Sequence, residues 1–196
     1  MNLIQQPKPS TINFLSGSII KVDFDSCINS EINGLHYAVA MNTSNNDNSS
    51  ITVIPLRPLQ PQEDPTLLHV NEVYLGDELF VLLNDRLSTT TKEINARIKE
   101  ERNLLGSECF ILPKDTLNES LGTIKKLESK RSVNKQMVDE INAFKQGCVA
   151  TINQITDIKI TSIVAPKDEF DVEYEVTLSP SAMQLIKSNY NFLTNI

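Results

Sequence analysis

With 196 residues, 40% of them hydrophobic and 22% charged, the chain has the size and composition of one globular domain, not of a fibre, a coiled-coil rod or a disordered tail. No apolar run reaches the ~18 residues that a spanning helix needs, and the amino terminus lacks the apolar core of a signal peptide, so a cytoplasmic protein without membrane partners is expected. The formal net charge of -7 disfavours broad adhesion to nucleic acid and leaves local basic clusters to decide that point.

In chain order, Ile20, Val22 and Phe24 alternate with Lys21 and Asp23, which predicts a half-buried strand over Gly17 to Phe24. A polar loop, Asp25 to Gly34, leads to a second strand, Leu35 to Met41, whose alternate residues divide between two faces. The Asn-, Ser- and Asp-rich loop 42–50 leads to a third strand, Ile51 to Leu56, making a meander. Prolines at 55, 58, 61 and 65 interrupt regular structure, and Val73 to Leu83 reads as one or two further strands around Gly76.

The middle of the chain changes period. The capping box Thr90-x-x-Glu93, followed by Ile94, Ile98 and Leu105, predicts a helix stopped by Gly106. A second box, Thr116-x-x-Glu119, opens a stripe of Leu117, Leu121, Ile124 and Leu127, and Val133, Met137, Ile141 and Phe144 mark a third helix ending at Gly147. Beyond it, Phe170, Val172, Tyr174, Val176 and Leu178 alternate with acidic or polar residues, which predicts a strand with an acidic outer face. Ser179 as cap and Pro180 in the first turn start a last helix with Met183, Ile186, Tyr190 and Leu193 on one side. The whole predicts a mainly β, α+β fold: a strongly bent antiparallel sheet or small barrel with helices attached.

Three well-separated cysteines, Cys27, Cys109 and Cys148, suggest reduced thiols and no disulfide framework. Two histidines, His36 and His69, make a His-rich metal site improbable and leave a carboxylate-bound magnesium open; no structural metal and no cofactor are expected.

The order of short motifs carries a family resemblance. Gly17-Ser-Ile-Ile-Lys-Val-Asp-Phe24, then Asn29-Ser30-Glu31, then Gly34 to Val39, then Val53 to Pro58, resembles the opening of the MazF/PemK family of toxin-antitoxin ribonucleases. The segments GCVATINQITDIKITSIVAP and SPSAMQLIKSNYNFL resemble its closing strands and helix. The likeness covers about 17–58 and 147–193 and leaves 89–147 as a helical insertion within one domain, 1–196. It implies an SH3-like barrel, usually dimeric, that cleaves single-stranded RNA without a metal and is neutralised by a cognate antitoxin protein. In such chemistry a ribose 2′-hydroxyl attacks its own phosphate, which requires a base, an acid and cationic donors at the developing phosphorane.

At the family's arginine position this sequence has His36, and at its threonine position Arg57. An imidazole can take or give a proton near neutrality, and a guanidinium can clamp a phosphate. His36 and Arg57 are therefore the catalytic candidates, with Ser30, Glu31, Tyr37 and Gln154 lining the RNA site. Gln154-Ile-Thr-Asp also replaces the family's Gln-Ile-Arg-Thr, removing a cation. Lys125, Lys126, Lys130, Arg131 and Lys135 form a local basic cluster, from which Lys126 and Arg131 are candidate phosphate contacts. The alternative to the enzyme is a catalytically decayed MazF-like module that binds RNA or protein.

Overall fold

The computed structural model describes residues 12–26, 33–42, 50–108 and 113–194. Its strands are β1 (Ile19–Asp23), β2 (Leu35–Ala40), β3 (Ser50–Pro58), β4 (Glu72–Tyr74), β5 (Cys148–Thr151), β6 (Thr156–Lys159) and β7 (Ile163–Ala165). Three α-helices accompany them among the described residues: α1 (Glu78–Glu108), α2 (Lys114–Asn142) and α3 (Pro180–Thr194). The fold is α+β. With 31 and 29 residues in α1 and α2 and at most nine in any strand, helix dominates, and the mainly β expectation is corrected.

All strand pairings are antiparallel, in the order β4-β5-β3-β2-β1-β7. The nine-residue β3 is the hub. One edge pairs with β2, while the other pairs with β5 over Leu56 to Pro58 and with β6 over Ser50 to Val53. The terminal strands β4 and β7 do not pair with each other, so the sheet is open and not a closed barrel.

Both faces are nonetheless buried. Tyr37, Val39, Ile54 and Leu56 pack with Leu79 and Leu83 of α1, Met137 and Ile141 of α2, and Met183 and Ile186 of α3. On the opposite face Ile20, Val22, Phe24, Ala38, Val53, Ile158 and Ile163 pack on one another with Phe14 and no helix. A face made only of strand residues can leave water only if the sheet curls over itself, which a strongly twisted antiparallel sheet does. The first core is continuous between sheet and helical pair, so the inserted helices share the domain's core at their base.

The first three strands lie where alternation placed them. Four other expectations are corrected. Only Glu72–Tyr74 of the Val73 to Leu83 stretch is strand; after Gly76, at φ 69°, the chain enters α1, whose Leu79 and Leu83 recur at helical spacing. Thr90 caps nothing: it is fully buried inside α1, and its hydroxyl finds no partner. The second and third expected helices are one, α2, which begins at Pro113 with no side-chain cap. The alternating segment 170–178 is a run of turns, joined to the sheet by the single bridge Ser18 to Thr177. There the Phe170 N–H donates to the Asp168 carboxylate, and the backbone N–H groups of Asp171, Tyr174 and Val176 donate to carbonyls three residues back, so turns satisfy amides that a strand would have paired.

Ser179 does cap α3, accepting from the Ala182 backbone, and its own N–H and hydroxyl donate to Glu78 at the start of α1. No helix among the described residues is long and apolar enough to cross a membrane. Of the cysteines, Cys148 is free and buried, its thiol pushed up by burial; Cys27 and Cys109 lie outside the described residues.

Candidate functional site

The β2–β3 register places the two catalytic candidates. Ala38 stands opposite Pro55; His36 lies two residues back along β2 and Arg57 two residues on along β3, so strand alternation sends both side chains to one face. His36 is half-buried, its ring edge-on to Phe24 with centroids 6.1 Å apart. Its Nε2 is 2.8 Å from the Asn33 carbonyl, to which it donates, and Nδ1 has no hydrogen-bond partner among the described residues. That arrangement leaves a lone pair on Nδ1 of the neutral ring to accept a proton. The base of the adjoining loop is tied by the Gly34 backbone, which donates to Asp25 at 2.8 Å. Ser30 and Glu31 of that loop lie outside the described residues.

Arg57 is fully engaged. Nε donates to Glu72 at 3.0 Å; Nη1 donates to Glu63 at 2.7 Å and to the Pro58 carbonyl at 3.2 Å; Nη2 donates to Glu63 at 2.9 Å and Glu72 at 2.7 Å. Every N–H of the guanidinium therefore has an acceptor. Hydrogen bonding, first to Glu63 and then to Glu72, holds its pKa up despite partial burial, and Arg57 in turn draws the Glu63 carboxyl below the ordinary range.

The other candidates are not gathered around His36. Tyr37, next in β2, points to the opposite face: only 4% exposed, it packs edge-on against Phe144 with ring centroids 5.5 Å apart. Gln154 sits half-buried in the turn between β5 and β6, beside the middle of β3 and not at its Arg57 end. Lys126 and Arg131 are exposed on α2, about 21 and 14 Å along the axis from Glu140, the α2 residue that reaches β1. Much of their cluster's charge is spent locally: Lys130 pairs with Asp168 and Asp171, Lys126 approaches Asp168 at 3.8 Å, and Arg131 donates to Asn95.

A cleft of about 300 Å³ opens beside β2 and the end of α2, with His36, Lys21, Leu35, Pro58, Glu140 and Phe144 on its walls. A second, of about 340 Å³, shares Pro58 and Ala143 with it and extends toward Lys145. Around Tyr37, which also lines the first, lies a set of titratable groups of which sequence reading names Tyr37 alone as a site residue. Lys21 donates to Glu140 and lies 5.7 Å from the centre of the Tyr37 ring. Glu173 is buried to 1% exposure, and neither its carboxyl oxygens nor the Tyr37 hydroxyl has a well-formed hydrogen-bond partner among the described residues. Burial is the main cause that pushes the Tyr37 hydroxyl up, with Glu173 and Glu140 adding to it. Nothing in the alternating 170–178 pattern distinguishes Glu173 from its exposed neighbours, and Glu63 and Glu72 stand in a Pro-rich stretch without periodicity. Among the described residues no His, Cys, Asp and Glu side chains converge in a group able to hold a metal ion. No protein-family model matches the chain, and no curated protein matches it in sequence.

Proposed function

We propose that this chain is a MazF/PemK-like toxin: a cytoplasmic, metal-independent endoribonuclease that cuts single-stranded RNA, acts as a homodimer and is held inactive by a cognate antitoxin. The observation that carries the reading is the β2–β3 register, which sets His36 and Arg57 on one face of the strand pair. The antiparallel meander β1–β2–β3 and the terminal helix α3 support the reading, although the sheet is open and carries the long helices α1 and α2.

In this mechanism His36 Nδ1 takes the proton of the ribose 2′-hydroxyl as its oxygen bonds to phosphorus. The His36 imidazolium so formed then gives up that proton to the departing 5′-oxygen as the phosphorus–oxygen bond breaks, which returns the ring to its neutral form. The products are a 2′,3′-cyclic phosphate and a 5′-hydroxyl, with no water or redox partner consumed. Arg57 would stabilise the phosphorane through two N–H groups directed at its oxygens.

The test is incubation of the purified protein and its His36→Ala variant with mixed RNA in EDTA, followed by end mapping. Cyclic-phosphate and 5′-hydroxyl ends from the wild type, reduced about 10²-fold or more in the variant, are expected. Intact RNA with folded wild-type protein would overturn the enzyme and favour the second reading, a decayed module that binds without cutting. One observation already speaks for that module: Arg57 has no N–H left to offer a phosphate in this conformation.

A further inference from the structure

The way the Arg57 guanidinium is shared between its carboxylates is asymmetric. Glu72 belongs to β4 and holds the side of the fork, with one oxygen accepting from both Nε and Nη2. Glu63 lies outside the sheet and closes the end of the fork, its two oxygens accepting one N–H each from Nη1 and Nη2. Two parallel charge-assisted bonds to the end of the fork are the geometry in which arginine receives a phosphate.

The segment carrying Glu63 is lightly held. From Gln60 to Val70 its hydrogen bonds other than those to Arg57 are short-range: Glu63 to Gln60, Leu67 and Thr66 to Asp64, Glu72 to His69; only its far end is tied across the fold, where the Asn71 carbonyl accepts from the Ile152 backbone. Pro61, Gln62, Asp64, Pro65, Thr66, Leu67 and His69 are all exposed, and burial resumes only at Leu59 and Val73. Moving Glu63 away would therefore uncover no core. It would free one N–H on Nη1 and one on Nη2 while Glu72 keeps the guanidinium aimed.

We propose that the 60–71 segment is an autoinhibitory latch, in which the Glu63 carboxylate occupies the phosphate position on Arg57 and is displaced when a phosphodiester binds. The inference deepens the ribonuclease reading and rests on it for the identity of the natural anion, but the displacement itself can be followed with inorganic phosphate. The pair is only partly buried, with the Arg57 side chain 26% and the Glu63 side chain 29% exposed, so an incoming anion can reach it from solvent, and the latch sets a threshold without abolishing binding.

The experiment compares wild type, Glu63→Gln, Asp64→Asn and Arg57→Gln. Asp64→Asn removes the same charge from the same segment, but Asp64 bonds only Thr66 and Leu67 and does not touch Arg57. Binding of inorganic phosphate is read by isothermal titration calorimetry, which reports on every variant alike. Binding of a mixed-sequence single-stranded RNA, 2′-O-methylated so that it cannot be cut, is read by fluorescence anisotropy.

Glu63→Gln is expected to bind phosphate roughly two- to fivefold more tightly than wild type, the range that a partly exposed ion pair withholds. RNA should follow the same order, Asp64→Asn should match wild type, and Arg57→Gln should lose the phosphate response. A gain for phosphate with no RNA binding by any variant would uphold the latch and sink the ribonuclease reading. Equal phosphate binding in wild type and Glu63→Gln, or equal gains in Glu63→Gln and Asp64→Asn, would overturn the latch; RNA binding by the wild type would then leave the ribonuclease reading standing.

Discussion

Glu173 is the residue whose environment departs furthest from its type. Its carboxyl is pushed up to about 7, chiefly by burial, against the pull of its own backbone N–H; Asp171 and Glu140 raise it further and Lys21 opposes. Lys21 comes from β1, Glu140 from α2 and Asp171 from the 167–171 turns, so charges from three parts of the chain set this one group. The folded-state value lies above that of the unfolded chain, and for an acid this means that the folded state binds the extra proton. The group's contribution is therefore full below the unfolded value of about 4.5, declines as pH rises, and is exhausted above about 7. The difference amounts to about 3 kcal/mol at most. Urea unfolding of wild type and Glu173→Gln at pH 5 and pH 8 checks it. Wild type should lose about 2–3 kcal/mol relative to the variant between the two pH values, and a constant difference would mean that Glu173 does not titrate there.

Among the elements, the junction from α2 into β5 turns on Gly147. It sits at φ 131°, and a Cβ there would collide with the Tyr74 ring, whose hydroxyl donates to the Gln146 carbonyl at 3.3 Å. Gly147→Ala should cost about 1–3 kcal/mol in thermal or urea unfolding, from strained backbone and displaced ring together. In a double-mutant cycle Tyr74→Ala should recover the steric part but not the backbone part; full recovery would show that φ contributes nothing. The same junction shows what was legible. Gly147 was readable as a helix stop because glycine tolerates backbone that other residues avoid. Strands β1, β2 and β3 were readable because alternation survives where each face meets a different environment. The 170–178 turns were not, since Val172, Val176 and Leu178 are buried as in a strand while the Asp168 side chain and three successive backbone turns take over the amides. Thr90 imitates a cap because the capping pattern is short and α1 gains more from burying Leu79 and Leu83 upstream than from starting at a threonine. At the site, His36 and Arg57 were legible through motif order; Glu63, Glu72 and Glu173 were not, because pairing across the fold leaves no local pattern.

For the molecule as a whole, the helical pair is the largest departure from a compact sheet domain, and burial along it is uneven. Each helix runs for about 45 Å, yet the packing thins from base to tip. Leu79, Leu83, Met137 and Ile141 belong to the main core; Ile94, Ile98 and Leu127 form a small separate cluster against Phe170; beyond them Leu104 and Leu121 are about half exposed. Local stability follows buried apolar area, so the pair should behave as a rooted base carrying a marginal tip. Replacing 104–121 by a short Gly-Ser turn should shift the unfolding midpoint by no more than a few degrees, whereas Ile141→Ala at the base should cost about 2–5 kcal/mol. Hydrogen exchange on the intact chain should show the same gradient, fastest around Leu104 and Leu121 and slowest around Leu83 and Ile141. If the shortened chain failed to fold, or if tip and base exchanged together, the pair would be a single cooperative unit with the sheet. A stability unaffected by shortening would instead leave the tip free of structural duty, so that activity measured on the shortened chain would report directly on whether the tip takes part in RNA or antitoxin binding.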